Sequence, residues 1–328
     1  MVPTLWRSAP KSTKFSVVAL LVTSLSILLI KIYVIQLSGS QSKLLEMIIP
    51  QLQLVPRYAI YYPWVFVTSI FAEVSIFSFL FSLAVLYIAT SYVEKFWGFK
   101  EVVKFILVIG TVTNLSTVLV TILSNIVRGD VNGMDQPLGG GISYYFGFLV
   151  VLKQLIPEHN VILFQGLVNF RVKHLPFILL LLVSGWSAVA QSLYPFVPSM
   201  FSFFVSYNYL RFIQTFFEDP ILPVTNANGD QTNSTVFRGD ASDAFQLVEF
   251  FPSVTKPYLS VVINAIFNAF VFIGVVQPFN DEVIEQSNLR AQKLSEQASQ
   301  ANNQIANSVA ERRRQVALQV IEDRINRT

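Results

Sequence analysis

The sequence predicts an all-α polytopic membrane protein, a bundle of six spanning helices followed by a cytosolic helical tail. Hydrophobic residues make up 53% of the chain and charged residues only 13%, whereas a soluble domain carries about a quarter charged residues. Windows of roughly 20 apolar residues, long enough to cross a bilayer as helix, recur through the first two thirds. Inside lipid every backbone polar group must be paired within the protein, so runs of this kind are helices.

Residues 1–14 form a cytosolic tail in which Arg7, Lys11 and Lys14 precede an apolar run from Phe15 to about Leu37. The run is too long for a signal h-region and no clean small-x-small cleavage site follows, so it reads as a retained first span. Lys31, near its end, is expected to snorkel to the interface. Leu44, Leu45, Met47, Ile48 and Ile49 make the following connection apolar, which suits a segment in or on the membrane interface. Further spans are expected at roughly 64–88, 102–123, 139–156, 175–194 and 196–213, completing a membrane domain over 15–213. Pro195 and Pro198 leave a tight turn between the last two. With the N-terminus in the cytosol, Lys95, Lys100, Lys104, Lys153, Arg171, Lys173 and Arg211 fall on the cytosolic side, against Lys43, Arg57 and Arg128 opposite. That bias follows the positive-inside rule, and six crossings return the C-terminus to the cytosol.

Residues 214–280 read as a cytosolic linker and a membrane-associated helix. Residues 219–243 are rich in Asp, Asn, Gly, Thr and Pro, a loop composition. An apolar helix is then expected from Pro257 to about Val276. Asn264 and Asn268 put a polar stripe on it, and a seventh crossing would place the arginine-rich tail outside. Docking on the membrane surface or on the bundle is therefore preferred to a seventh span. Residues 281–328 form a polar and amphipathic tail in which Leu318, Ile321 and Ile325 recur at helical spacing. Alone such a helix is marginal, so it is expected to order against a partner, a membrane or another copy of itself. Arg312, Arg313 and Arg314 leave two readings open. They form a solvated face near Glu311, Glu322 and Asp323, or a patch meeting acidic headgroups or an acidic partner at about 1 kcal/mol per basic residue. Together with Leu318 they are the candidate interaction residues.

The absence of cysteine removes disulfides, thiolate nucleophiles and iron–sulfur sites. Two histidines, His159 and His174, are too few for an ordinary zinc site and read as solvated loop residues. No cofactor is implied, and nothing supports nucleic-acid binding. Glu73 is the only acidic residue inside an apolar span, which makes it the candidate intramembrane polar site. The alternatives are a proton or ion path, a carboxyl near the water-facing end of the span, and one paired within the bundle; no second buried acid or base joins it as a relay. Arg238-Gly239-Asp240 reads as a chance match to an adhesion tripeptide. The sequons Asn233-Ser234-Thr235 and Asn326-Arg327-Thr328 serve as topology probes.

The fourth span carries a resemblance. Gly140-Gly141-Ile142-Ser143-Tyr144-Tyr145-Phe146-Gly147 is similar to the rhomboid Gly-x-Ser-Gly segment one turn before Phe-Gly, with Ile142 at the nucleophile position. Val93-Glu94-x-x-x-Gly98 fits the rhomboid Leu-Glu-x-x-x-Gly pattern. Counting back from it, the oxyanion-donor positions fall on Glu73, Ser78 and Ser82. A carboxylate there would repel a developing oxyanion, and the serines are poorer donors. The sixth span has no histidine, and a serine without a base is a weak nucleophile. Ser143 is read as a small residue easing helix contact.

From about Pro63 to the end, the ordered landmarks resemble the transmembrane protein 115 family of rhomboid-like Golgi proteins. They are Val93–Gly98, Gly147–Gln154, Tyr209–Gln214, Gly239-Asp240 with Asp243-x-Phe245, Phe250-Phe251-Pro252 with Pro257, and Ala310–Leu318. The resemblance implies a non-enzymatic rhomboid-like bundle (a pseudoprotease) in the Golgi membrane, with both termini cytosolic. It further implies a role in retrograde transport to the endoplasmic reticulum and in maintaining Golgi glycosylation. The implied partners are the lipid bilayer, membrane cargo and Golgi trafficking or tethering proteins. The alternative is a derlin-like quality-control protein of the endoplasmic reticulum.

Overall fold

The structure is a computed structural model that describes residues 6–7, 9–38, 47–130, 132–156, 160–163, 168–217, 236–274, 278–296, 300 and 314. The chain divides into two compact units, one of residues 1–151 and 176–210, the other of 152–175 and 211–328.

The first unit is helical. Helix α1 (Lys11–Ser38) corresponds to the predicted first span. A short α2 (Val65–Thr68) runs into a 3-10 turn, Ser69–Phe71, and the chain is then non-helical until α3 (Ile76–Arg128). The span expected at 64–88 is thus broken at 72–75. Its two pieces are equally apolar, and an apolar run does not reveal where a buried backbone leaves the helix. Helix α3 holds the remainder of that span together with the next one, 53 residues bent at Gly98 (φ 76°, ψ 171°), a conformation open only to glycine. Helices α4 (Ile142–Leu155), α5 (Leu175–Ala190) and α6 (Phe196–Asn208) follow, and a π turn, Tyr209–Ile213, extends the last. Among the described helices, α1, α3 and a stretch ending with α5 have the length and apolarity to cross a membrane; α4 is a shorter apolar helix.

Leu54, Ala59, Val65, Val118 and Leu138 form one buried cluster, with Tyr62, Phe66, Ile122 and Tyr194 against it. Ile27, Ile49 and Ala72 form a second. Polar side chains tie the helices where they approach closely. Asn114 donates to Phe66 O (2.9 Å) and Ser69 Oγ (3.0 Å), and Thr90 donates to Thr13 (2.9 Å). Lys31 is buried (2% exposed) rather than extended to the surface.

The second unit begins with the last turn of α4. It holds two small antiparallel ladders: β1 (Asn160–Leu163) with β2 (Val168–Arg171), and β3 (Thr215–Phe217) with β4 (Val236–Arg238). Helix α7 (Lys256–Phe272) and helix α8 (281–296) complete it.

Candidate functional site

Two arrangements of polar side chains stand out, one in each unit. In the first unit, Glu73 sits in the non-helical break before α3. Its Oε1 accepts the Gly141 N–H (2.8 Å) and the Ser82 hydroxyl (2.6 Å), and Ser82 is in turn bonded to the Tyr145 hydroxyl (2.5 Å). The Gly139-Gly140-Gly141 run makes room for this. A Cβ on Gly140, whose φ is +104°, would lie 3.1 Å from both carboxylate oxygens, and one on Gly141 would overlap Ser82 and Tyr145. The carboxylate therefore caps the start of α4, where helical N–H groups lack partners and an anion is favoured. A cavity of about 190 Å³ adjoins it, lined by Gln53, Ser69, Ser75, Ser78 and Gly139 among others.

The positions that the resemblance assigns to oxyanion donors thus hold a carboxyl group and its own donors. Of the three oxyanion positions, Glu73 and Ser82 meet directly, and Ser78 lines the neighbouring cavity. Ile142 opens α4. Ser143 is fully buried and donates its hydroxyl to the Gly140 carbonyl (3.0 Å). On α6, the buried positions Ser199, Ser202 and Ser206 replace any imidazole; Ser202 accepts the Gly147 N–H at 3.1 Å. Glu94, of the Glu-x-x-x-Gly pattern, has its own role. It accepts the Lys11 and Ser12 N–H groups (3.2 and 2.8 Å) and the Ser12 hydroxyl (2.5 Å), capping α1.

In the second unit, short segments far apart in sequence close into a knot. Lys153 is 1% exposed, with its ammonium 3.6 Å from the Phe250 ring centroid, 5.5 Å from that of Phe245, and 3.4 Å from the Gln246 carbonyl. Gln154 donates to Asp240 (2.8 Å), and Arg211 donates to the carbonyls of Asp240 (2.7 Å) and Ser242 (2.8 Å). Gly239 donates to Gln214 O (2.6 Å), and a Cβ there would overlap the Arg211 carbonyl. The Arg211 guanidinium lies 5.0 Å from Phe279, on which Phe212 stacks at 5.6 Å. Helix α8 is bonded to the knot: Ser287 accepts the Ala241 N–H (3.2 Å), and Asn288 exchanges bonds with Asp243 (2.8 and 2.9 Å). Beside it, partial burial pushes the Glu249 carboxyl up. The Lys256 ammonium, 2.6 and 2.7 Å from its two oxygens, more than offsets this, so Glu249 titrates below the usual carboxylate range.

Cation–π contacts and carbonyl bonds offset part of the cost of burying such basic groups. The knot fastens segments that are far apart in sequence. Among the described residues no three metal-ligating side chains cluster. His174 Nδ1 lies 3.3 Å from the Phe250 carbonyl and so belongs to the knot's edge. Arg314 is helical and exposed. Arg312, Arg313, Leu318 and His159 lie outside the described residues. Arg238-Gly239-Asp240 reads as a chance match to an adhesion tripeptide, yet Gly239 and Asp240 are central to the knot. Their presence among the landmarks of the resemblance was the available signal.

The sequence matches, over residues 14–327, the family described as eukaryotic integral membrane protein (DUF1751). It is 35% identical to the transmembrane protein 115 homolog of Saccharomyces cerevisiae over 285 residues, 84% of this chain and 80% of that protein. It is 29% identical to rhomboid-like protein 19 of Arabidopsis thaliana over 216 residues, 65% of this chain and 64% of that one. It is 24% identical to human transmembrane protein 115 over 271 residues, 80% of this chain and 68% of its counterpart. No solved structure matches the chain.

Proposed function

The chain belongs to the DUF1751 family of eukaryotic integral membrane proteins, and on that footing we propose that it works by binding rather than catalysis. It is a rhomboid-like helical membrane protein in which the position of the nucleophile holds Ile142 and the place of the oxyanion holds the Glu73 carboxylate. That carboxylate is the observation supporting the reading. It takes the N–H at the start of α4 and the Ser82 hydroxyl, donors that peptide cleavage would need for its tetrahedral intermediate. A carboxyl group already seated there excludes an oxyanion by occupying the donors it would need.

The protein acts in Golgi membranes as a six-span scaffold with both termini cytosolic, in retrograde transport to the endoplasmic reticulum and in the upkeep of Golgi glycosylation. The bundle engages membrane cargo, and the tail, presented by helix α8 from a fixed base, recruits trafficking or tethering proteins through Arg312, Arg313, Arg314 and Leu318. The relatives named transmembrane protein 115 support the family part of this reading, and the landmark Ala310–Leu318 supports the role of the tail.

Cells lacking the chain test it. Golgi-resident enzymes should be displaced and glycans immature, with rescue by the full chain but not by one ending before Ala310. Intact Golgi residents with accumulating misfolded membrane proteins would instead favour quality control in the endoplasmic reticulum. Cleavage of a membrane substrate that disappears in Ser143→Ala would overturn the non-enzymatic reading.

A further inference from the structure

Between Lys256 and Asp281 the sequence has no acidic or basic residue, so composition alone would allow a seventh crossing. The structure divides this stretch. Helix α7 has 17 residues, about 25 Å at 1.5 Å per residue, against roughly 30 Å of hydrocarbon to be crossed. It ends at Phe272, and a turn follows at Gly274, whose φ is +81° and whose N–H closes onto Val271 O (3.0 Å).

Its circumference, at 100° per residue, has three sectors. Leu259, Ile263, Phe267 and Val271 are half-buried, and Phe267 stacks on Phe212 at 6.5 Å. Asn264 and Asn268 occupy the next, narrow sector. The rest is apolar and open: Tyr258 is 80%, Val261 69% and Phe272 93% exposed, with Val262 and Ile266 beside them. None of the helix is fully buried. An open apolar sector of this size is unusual on a protein that meets only water.

We propose that α7 lies in the plane of one bilayer leaflet, with Tyr258, Val261 and Phe272 among the acyl chains and Asn264 and Asn268 at the level of the headgroups. Three features select lipid as the occupant. The chain is an integral membrane protein, so a bilayer is at hand. The open sector carries no charge to set register against a protein partner. Its polar residues lie along one edge only, the arrangement of a helix with one side towards water and the other in hydrocarbon. Lys256, held by Glu249, marks the aqueous entry to the helix. Glu249 and Asp281 are then on the same side of the membrane, so the helix leaves the tail where the preceding segment left it. This inference depends on membrane residence and is independent of the trafficking role.

The chain contains no cysteine, so single-cysteine variants report without background. The full chain would carry a nitroxide at Tyr258→Cys, Val261→Cys, Phe272→Cys, Asn264→Cys or Asn268→Cys, in liposomes of phosphatidylcholine and phosphatidylserine. Collision rates with oxygen and with a water-soluble nickel chelate are then compared. Labels at 258, 261 and 272 should share one depth and show an oxygen-to-nickel ratio several-fold above those at 264 and 268. A depth that rises to the bilayer midplane near the helix centre and falls again, whatever the face, would make α7 a seventh span. Uniform nickel access would place it in water. Dipolar broadening on the apolar face, removed by dilution with unlabelled protein, would give the face to a second copy.

Discussion

Gly239 and Gly185 illustrate how differently two glycines can be constrained. A Cβ at Gly239 would overlap the Arg211 carbonyl on a backbone with φ +81°, whereas one at Gly185 has nothing within 4 Å. Gly239→Ala is expected to destabilise the folded protein by about 2–3 kcal/mol through strain and lost hydrogen bonding. Gly185→Ala, inside α5, should be neutral or stabilising by about 0.5–1 kcal/mol. Thermal unfolding in detergent separates the two. Glu73→Ala would leave the Gly141 N–H and Ser82 hydroxyl without their acceptor, at a cost of about 1–3 kcal/mol. Glu73→Gln retains an acceptor oxygen and should lose distinctly less in the same assay. The sequence marked Glu73 as exceptional because carboxylates are rare in apolar runs. It did not reveal the Gly141 partner, which lies 68 residues away; only folding brings the glycine run against the carboxyl group.

At the scale of elements, the order of helices was readable and their breaks were not. The run 64–88 looks continuous because hydropathy does not register the Ser69–Phe71 turn or the extended residues after it. Gly98, by contrast, was already conspicuous in its motif, and it bends α3. The segment Leu247–Phe250 and the start of α7 are joined by Glu249 and Lys256, and this pair gives the second unit a pH response. Because the folded Glu249 titrates below its unfolded value, its stabilisation is complete above the unfolded carboxylate range and is lost as pH falls through the lowered folded value. The pair is partly exposed, so its effect is under about 1 kcal/mol. Lys256→Met should lower the stability at neutral pH by that amount and converge on the wild type at acid pH, which flattens the acid side of the profile. An acid limb identical in wild type and variant would show that the pair does not act in solution.

Across the whole molecule, the residues of the landmarks divide between the two units, and Gly147–Gln154 and Tyr209–Gln214 each contribute to both. Glu94 and Gly98 belong to the first; Lys153, Gln154, Arg211, Gly239, Asp240, Phe245 and Phe250 meet in the second. Their sequence order was legible, but their convergence required coordinates, since no periodicity connects residue 153 to residue 250. The bonds from Ser287 and Asn288 to the knot divide the tail into a root and a tip. Deleting Ala310–Thr328 should leave the unfolding temperature of the purified protein unchanged, while deleting residues 281–328 should lower it. Equal stability of the two truncations would remove α8 from the fastening. Glu94 also sets a timetable for synthesis. It caps Ser12 from 82 residues further along the chain. At about 5–20 residues per second, α1 emerges roughly 4–16 seconds before the carboxylate that completes it. During that interval its first N–H groups must be satisfied by water or by a host factor, so the N-terminal end of α1 becomes a finished membrane helix only after the motif around Gly98 has left the ribosome.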